Sequence, residues 1–225
     1  MEYLQNGITL HIPPGCFPLS TDSILLGEFV RPGKGARVLD LGAGCATLGL
    51  LLCAAYPNCH ITGIELDPAA HEAGLENILR NGLTERLSSI CTDMRTIPNG
   101  NFDLCISNPP YFSGGPASKT TPHARREDCC SIEELFQTAA RNLRYGGDFC
   151  LIHKPERLSE LCAQAAKSGL EPKRLRLIRH RTDGPVSLIL LSCRKGAKPG
   201  LVWEERSLRH ADGTPTEYYR TLYHL

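Results

Sequence analysis

The sequence lacks any apolar run near the ~18 residues that a membrane-spanning helix needs, so no span is expected in its 225 residues. Its first residues show no basic stretch followed by an apolar one, and a secretory leader is not expected. With 41% hydrophobic and 22% charged residues, the composition is that of an ordinary globular domain. Collagen-like, coiled-coil and disordered classes are therefore excluded.

The 11 cysteines lack the features of a disulfide framework or a zinc site. Their number is odd, no C-x-x-C occurs, and the Cys129–Cys130 pair has no second Cys/His pair at zinc spacing. Cys53, Cys105, Cys150 and Cys193 lie inside apolar runs, where a thiol behaves as a small hydrophobic group. We expect no metal, and a reducing, cytoplasmic location.

A strong charge of one sign is also missing, because the net charge is +1. The two parts of the chain differ, however. Residues 1–118 carry 6 Lys+Arg and 11 Asp+Glu, whereas residues 119–225 carry 19 and 13. The basic second part indicates an anionic partner, although a solvated basic surface would give the same count.

Short apolar runs alternate with helical patterns, which predicts an α/β fold with a doubly wound sheet and helices on both faces. The connection between the last two predicted strands is too short for a crossover helix, so the last strand is predicted to be antiparallel in a Rossmann-like, mostly parallel sheet. The seven predicted strands cover residues 37–41, 60–65, 87–91, 102–107, 148–153, 175–178 and 186–192.

Three segments are predicted along the chain. Residues 1–36 form an N-terminal cap with a helix over 21–30, residues 37–200 form the main domain, and residues 201–225 form its C-terminal extension. The extension holds a turn at Asp212-Gly213 and a short aromatic helix.

Glycines directly follow the first predicted strand, in Asp40-Leu41-Gly42-Ala43-Gly44-Cys45-Ala46. Glycine lets the backbone turn tightly and approach a ligand. The dinucleotide G-x-G-x-x-G fingerprint is not met, because its third glycine position is Thr47. The segment is nearer to the D-x-G-x-G-x-G loop that holds S-adenosylmethionine. Ala46 replaces the last glycine, at little cost unless the position requires a positive φ.

Acidic residues follow the next two strands. Glu65 ends the second strand, where a carboxylate can accept from both ribose hydroxyls. Asp93 and Met94 follow the third strand, where they can meet an adenine amino group and the base. Asp40, Glu65 or Asp93 alone would suit a helix cap or a turn. Three acids at three successive strand ends favour a nucleotide cofactor.

The fourth strand ends in Asn108-Pro109-Pro110-Tyr111-Phe112. Ligands of a doubly wound sheet bind where the strand order reverses, so this segment should lie beside the glycine loop. A planar amino group there could donate to the Asn108 side-chain oxygen and the Pro109 carbonyl, with Tyr111 or Phe112 stacked on it. The alternative is that Asn-Pro-Pro only ends a strand.

These residues resemble class I S-adenosylmethionine-dependent methyltransferases of the N-P-P-Y type. Nearly the whole chain is similar to one bacterial family, which methylates N6 of the adenine 3′ of the anticodon in valine tRNA. The similarity extends beyond the core motifs to the segments Thr21-Asp22-Ser23-Ile24-Leu25-Leu26, Gly63-Ile64-Glu65-Leu66-Asp67, Ala124-Arg125-Arg126-Glu127, Lys195-Gly196-Ala197-Lys198-Pro199-Gly200 and Asp212-Gly213-x-x-Thr216-x-x-Tyr219-Arg220-x-x-Tyr223.

The resemblance implies a seven-stranded class I methyltransferase fold whose N-terminal cap packs on the cofactor site. It implies methyl transfer at Asn108, Pro109, Pro110 and Tyr111. The S-adenosylmethionine site it implies comprises Thr21, Asp22, Asp40, Gly42, Ala43, Gly44, Glu65, Leu66, Asp93, Met94 and Asn108. The RNA contacts it implies are Phe112, Lys119, Arg125, Arg126, Arg179 and Arg181.

Arginines around the closing strands would equally suit an exposed strand face with edge-protecting charge. The expected partner is tRNA, without a membrane or a metal. The oligomeric state stays open, with a monomer favoured.

Two other functions remain open. A protein-glutamine methyltransferase would use the same two acceptors for an amide nitrogen, but such enzymes usually carry a helical substrate domain before the glycine loop. Only 36 residues precede the strand that leads into that loop here. A non-catalytic RNA-binding module is disfavoured by the intact acids and N-P-P-Y motif.

Overall fold

The computed structural model describes residues 1–111 and 130–223. In these residues the strands are β1 (Glu2–Tyr3), β2 (Thr9–Leu10), β3 (Arg37–Leu41), β4 (His60–Glu65), β5 (Leu87–Cys91), β6 (Phe102–Ser107), β7 (Leu143–His153), β8 (Leu170–Arg181), β9 (Val186–Lys195) and β10 (Val202–Arg209). The α-helices are α1 (Thr21–Phe29), α2 (Thr47–Ala55), α3 (Pro68–Arg80), α4 (Ile132–Asn142), α5 (Leu158–Lys167) and α6 (Glu217–Tyr223). No helix within the described ranges is long and apolar enough to cross a membrane.

The main sheet has the order β10-β8-β9-β7-β6-β3-β4-β5. Strand β9 runs antiparallel to both neighbours, and the other strand pairs are parallel. The predicted mostly parallel α/β sheet with an antiparallel closing strand is confirmed. It has eight strands rather than seven, because β10 pairs with β8 at the edge. Leu208 is the only buried residue of β10, so hydrophobic alternation gave little signal for this strand.

Helices cover both faces of the sheet. Side chains that alternate along β7 therefore pack into two different cores, one on each face. Cys150 and Ile152 pack in the core under α1, α2 and α3. Phe149 and Leu151 pack in the opposite core under α4 and α5. The four cysteines of apolar runs, Cys53, Cys105, Cys150 and Cys193, are buried free thiols.

Local sequence signals set the starts of two helices. Asp67 caps α3 by accepting from Ala69 N, and Pro68 occupies the first turn. Ser131 and Glu134, an S-x-x-E pattern before an apolar run, form both bonds of a capping box at α4. Helix α4 ends at Asn142, because β7 begins at Leu143.

A buried arginine joins α1 to β10 and α6. The Arg176 side chain in β8 is 3% exposed and forms ion pairs with Glu28 of α1 and, at 2.7 Å, with Glu204 of β10. It also donates to the Tyr218 hydroxyl of α6 at 3.0 Å and lies over the Phe29 ring. Burying a guanidinium group is costly unless it is paired. Losing these partners would therefore leave the buried charge of Arg176 uncompensated.

Replacing Arg176 with Met should lower the free energy of unfolding by about 2–3 kcal/mol, because two partly exposed carboxylates, those of Glu28 and Glu204, lose their cationic partner. Chemical denaturation measures the change. The matched control is Arg194→Met, whose half-exposed side chain pairs with Asp148 and should contribute about 1 kcal/mol or less. Equal losses in the two variants would contradict a central role for Arg176.

Candidate active site

A cavity of about 880 Å³ opens at the carboxyl ends of β3 and β6, where the strand order reverses. Ser107 Oγ donates to Leu41 O at 2.8 Å and ties the two strand ends together. Thr21 and Asp40 are not in the cavity wall. The predicted residues that line it are Asp22, Gly42, Ala43, Gly44, Glu65, Leu66, Asp93, Met94, Asn108, Pro109, Pro110 and Tyr111.

The glycine loop turns through left-handed backbone conformations. Gly42 has φ 82° and Gly44 has φ 55°, and the space where their side chains would lie is open. Ala46 also has a positive φ, of 64°. This is the condition under which alanine costs energy, about 1 kcal/mol, at the position where the resembling loop has glycine. Gly63 allows the loop to sit close, since a Cβ there would lie 2.7 Å from that of Ala43.

Glu65 holds the loop in place. Its Oε2 accepts from Gly44 N at 2.7 Å and its Oε1 accepts from Asp67 N at 2.8 Å. Each carboxylate oxygen keeps a second lone pair, so both can still accept from a ligand in the cavity.

Asp93 is already engaged by a neighbour. Arg95 Nε lies 2.9 Å from both carboxylate oxygens of Asp93, and the Arg95 backbone N–H donates to Oδ1. These bonds lower the pKa of Asp93. The predicted bond from an adenine amino group would therefore share an acceptor with Arg95.

Asp40 is a buried carboxyl group, and neither of its oxygens has a hydrogen-bond partner among the described residues. Burial, with a smaller contribution from the charge of Glu65, raises the pKa of Asp40 to about 8. A cation bound nearby would favour the ionised form of Asp40.

The charge of the cavity wall selects among cofactors. Asp22, Glu65, Asp67 and Asp93 line it, and none of the lining residues in the described ranges is Lys, Arg or His. A pyrophosphate would be repelled there, whereas the sulfonium and ammonium groups of S-adenosylmethionine would be attracted. The residues present thus fit S-adenosylmethionine.

Asn108 is held by the first turn of α1. Its Nδ2 donates to Ser23 Oγ at 3.2 Å, and no described residue donates to its Oδ1. This arrangement assigns the amide nitrogen to Ser23 and leaves the oxygen as an acceptor in the cavity wall. Pro109 and Pro110 follow in the same wall and have no N–H to compete for that acceptor.

Tyr111 is fixed from two sides. Its hydroxyl donates to Asp22 Oδ2 at 2.5 Å, and burial together with this carboxylate raises the pKa of Tyr111. The His153 ring lies 5.3 Å from the Tyr111 ring, and Lys154 Nζ lies 5.1 Å from its centroid. Burial lowers the pKa of His153 to about 4, so this imidazole is neutral at pH 7.

None of the predicted RNA-binding residues is among those that line the cavity in the described part of the chain. Phe112, Lys119, Arg125 and Arg126 lie outside the described residues. Arg179 and Arg181 lie near the end of β8, three strand spacings or roughly 14 Å from β6.

Both of these arginines already have partners within the chain. Arg179 bonds Glu205 and Gly184 O, and Arg181 bonds Asp183 and Ala211 O. Their role in RNA binding stays a prediction.

Sequence reasoning missed several residues of the site. Ser23, His153 and Lys154 contact Asn108 or Tyr111. His153 and Lys154 follow from topology, since the end of β7 lies beside the end of β6. Asn77 was also missed. It is fully buried and links the N-terminal segment to the glycine loop through His11 and Cys45 O.

A glycine loop, strand-end acids and an Asn-Pro-Pro-Tyr turn around one acidic cavity define an S-adenosylmethionine-dependent methyltransferase of class I. Residues 19–161 match the family described as the methyltransferase small domain. The fold agrees with that of a predicted O-methyltransferase from Agrobacterium tumefaciens, at a TM-score of 0.75 and 20% identity, covering 90% of this chain and 95% of that one.

Relatives of higher sequence identity indicate which family of methyltransferases the chain belongs to. A tRNA1(Val) (adenine(37)-N6)-methyltransferase of Tolumonas auensis is 37% identical over 80% of this chain and 78% of its own length. The protein of the same name from Bacteroides fragilis is 30% identical, over 77% and 76%. The chain belongs to this family, and the predicted class and cofactor are confirmed.

The buried Asp40 should make stability depend on pH. Its folded pKa of about 8 exceeds the ~3.9 of an unfolded Asp, so the folded state binds more protons between these values. The contribution of Asp40 to the free energy of unfolding therefore falls as pH rises from about 4 to about 8.

Denaturation of the cofactor-free protein at several pH values measures this contribution. The stability of Asp40→Asn relative to the unsubstituted protein should increase with pH across that window. Parallel stability curves for the two proteins would show that Asp40 does not titrate as described.

Proposed function

We propose that this protein methylates the exocyclic N6 of an adenine in tRNA, and that the adenine is the one 3′ of the anticodon in a valine tRNA. The observation that carries the proposal is the open Oδ1 of Asn108, whose amide nitrogen is held by Ser23. The family relatives named for this activity support the choice of substrate.

The residues of the chain accomplish the reaction by positioning. Asn108 Oδ1 and the Pro109 carbonyl accept from the two hydrogens of the amine, which draws its lone pair out of the ring and toward the cavity. The ring of Tyr111, fixed by Asp22, supplies a face on which the adenine stacks.

Asp22, the Gly42–Gly44 loop, Glu65, Leu66, Asp93 and Met94 would hold S-adenosylmethionine in the acidic cavity. When bound, this cofactor supplies a methyl group on a sulfonium, which is electrophilic. Asn108 needs no strong base beside it, because the amine becomes acidic once it is methylated and its proton passes to water.

An adenine inside a stacked anticodon loop must be flipped out to reach Asn108. Lys154, exposed beside Tyr111, and the arginines near the end of β8 would meet the RNA backbone around the flipped base. We further propose a monomer that acts in the cytoplasm, with residues 1–36 and 201–225 flanking a 37–200 catalytic domain.

Asn108→Ala should lower methyl transfer to tRNA on the order of 10²-fold, because it removes an acceptor aimed at the reacting amine. Transfer of labelled methyl to total tRNA and to total protein, followed by mass spectrometry of nucleosides, measures both product and substrate class. Asn99→Ala, at an exposed loop position, is the control and should be fully active. Label in protein glutamine with none in tRNA would overturn the proposal.

A further inference from the structure

Helices α1 and α6 meet beside the transfer site. The hydroxyl groups of Thr21, the first residue of α1, and Tyr223, in the last turn of α6, are hydrogen-bonded at 2.8 Å. These residues are 202 positions apart. They belong to the two segments, Thr21-Asp22 and Asp212–Tyr223, whose contact no local pattern implies.

The residues before Tyr223 build the turn and the helix that deliver it. Asp212 accepts from the backbone and side chain of Thr214, and Gly213 has φ 87°. Thr216 Oγ1 donates to Ser207 O at 2.7 Å and accepts from Tyr219 N, so α6 starts in a fixed direction from β10.

Helix α6 is then anchored along its length. Tyr218 donates to Glu28 at 3.0 Å and accepts from Arg176, and Leu222 is buried against the core. The Tyr219 ring packs 4.5 Å from that of Tyr223. The Tyr223 hydroxyl therefore contacts Thr21 from a rigid support.

The residues next to Thr21 hold the reacting segment. Asp22 accepts from the Tyr111 hydroxyl and Ser23 accepts from the Asn108 amide. The first turn of α1 thus contacts both Tyr223 of α6 and the Asn-Pro-Pro-Tyr segment. Any shift of this turn moves both partners of that segment.

We propose that Tyr223 is a positioning residue for methyl transfer, acting through Thr21 on the orientation of Asn108 and Tyr111. The inference rests on the proposed function for its substrate. On this proposal, α6 affects the rate of methyl transfer and does not act only in binding tRNA. A merely structural role would lower stability and leave the transfer rate of the folded protein unchanged.

A double-mutant cycle tests this on the full chain, with Tyr223→Phe, Thr21→Val and the two combined. Each single change should slow single-turnover methyl transfer about fivefold, the effect of one lost hydrogen bond. The combined variant should be no slower than the slower single variant, because both changes remove the same bond. The dissociation constant for tRNA should change less than about twofold.

Two further variants sharpen the cycle. Tyr219→Phe is the matched control, since its hydroxyl has no partner in the described part of the chain, and it should transfer methyl at the unsubstituted rate. Thr21→Ser keeps a hydroxyl and should recover most of the rate lost in Thr21→Val. Rates that multiply in the double variant, or that do not change in the single variants, would overturn the inference.

Hydrogen exchange separates this inference from the proposed function. The amides of Ser23 and Ile24 both donate to Ser20 in the first turn of α1. They should exchange faster in Tyr223→Phe and Thr21→Val than in Tyr219→Phe, without cofactor or RNA. If the unsubstituted protein transfers no methyl to tRNA, the proposed function fails. Unchanged exchange in these two variants overturns the positioning role.

Discussion

The arrangement of the site depends on the first turn of α1. Two adjacent residues there, Asp22 and Ser23, bind the side chains of Tyr111 and Asn108. Without the Ser23 contact the Asn108 amide could rotate and present its nitrogen instead of its oxygen to the cavity, and only the oxygen can accept from an amine. In this arrangement the Ser23 hydroxyl accepts from the Asn108 amide nitrogen, and the Asn108 oxygen is left as an acceptor for an amine.

Charge is divided between cofactor and substrate. Carboxylates line the cavity, and the sequence before residue 119 is acidic overall, as suits a cationic methyl donor. The remainder of the chain is basic. Part of its positive charge is neutralised within the protein, because Arg176, Arg179 and Arg181 all form ion pairs with acidic side chains. The near-neutral total therefore describes neither the cavity nor the surface that an RNA would approach.

Much of the fold and the centre of the site could be predicted from the sequence. Parallel strands end at one edge of a sheet, so a glycine loop after β3, Glu65 after β4 and Asn108 after β6 had to converge. Each of these signals is local: an apolar run, then a turn with a polar residue. The capping box at Ser131 is local as well.

The rest depends on contacts that no local pattern encodes. Arg176 reaches Glu28 across 148 residues, and Tyr223 reaches Thr21 across 202. Strand β10 escaped prediction because it is an edge strand with one buried residue. The sequence does not reveal that Ala46 has a positive φ. Whether a non-glycine residue adopts this conformation depends on the packing around it.

The most direct measurement is a crystal structure of the protein with S-adenosylhomocysteine and an adenosine nucleotide. The adenine N6 should lie within hydrogen-bond distance of Asn108 Oδ1 and the Pro109 carbonyl, with the Asn108 amide nitrogen still on Ser23 and the Tyr111 hydroxyl on Asp22. An adenine whose N6 lies beyond hydrogen-bond reach of both acceptors, or an Asn108 that turns its nitrogen toward the base, would contradict the proposed arrangement.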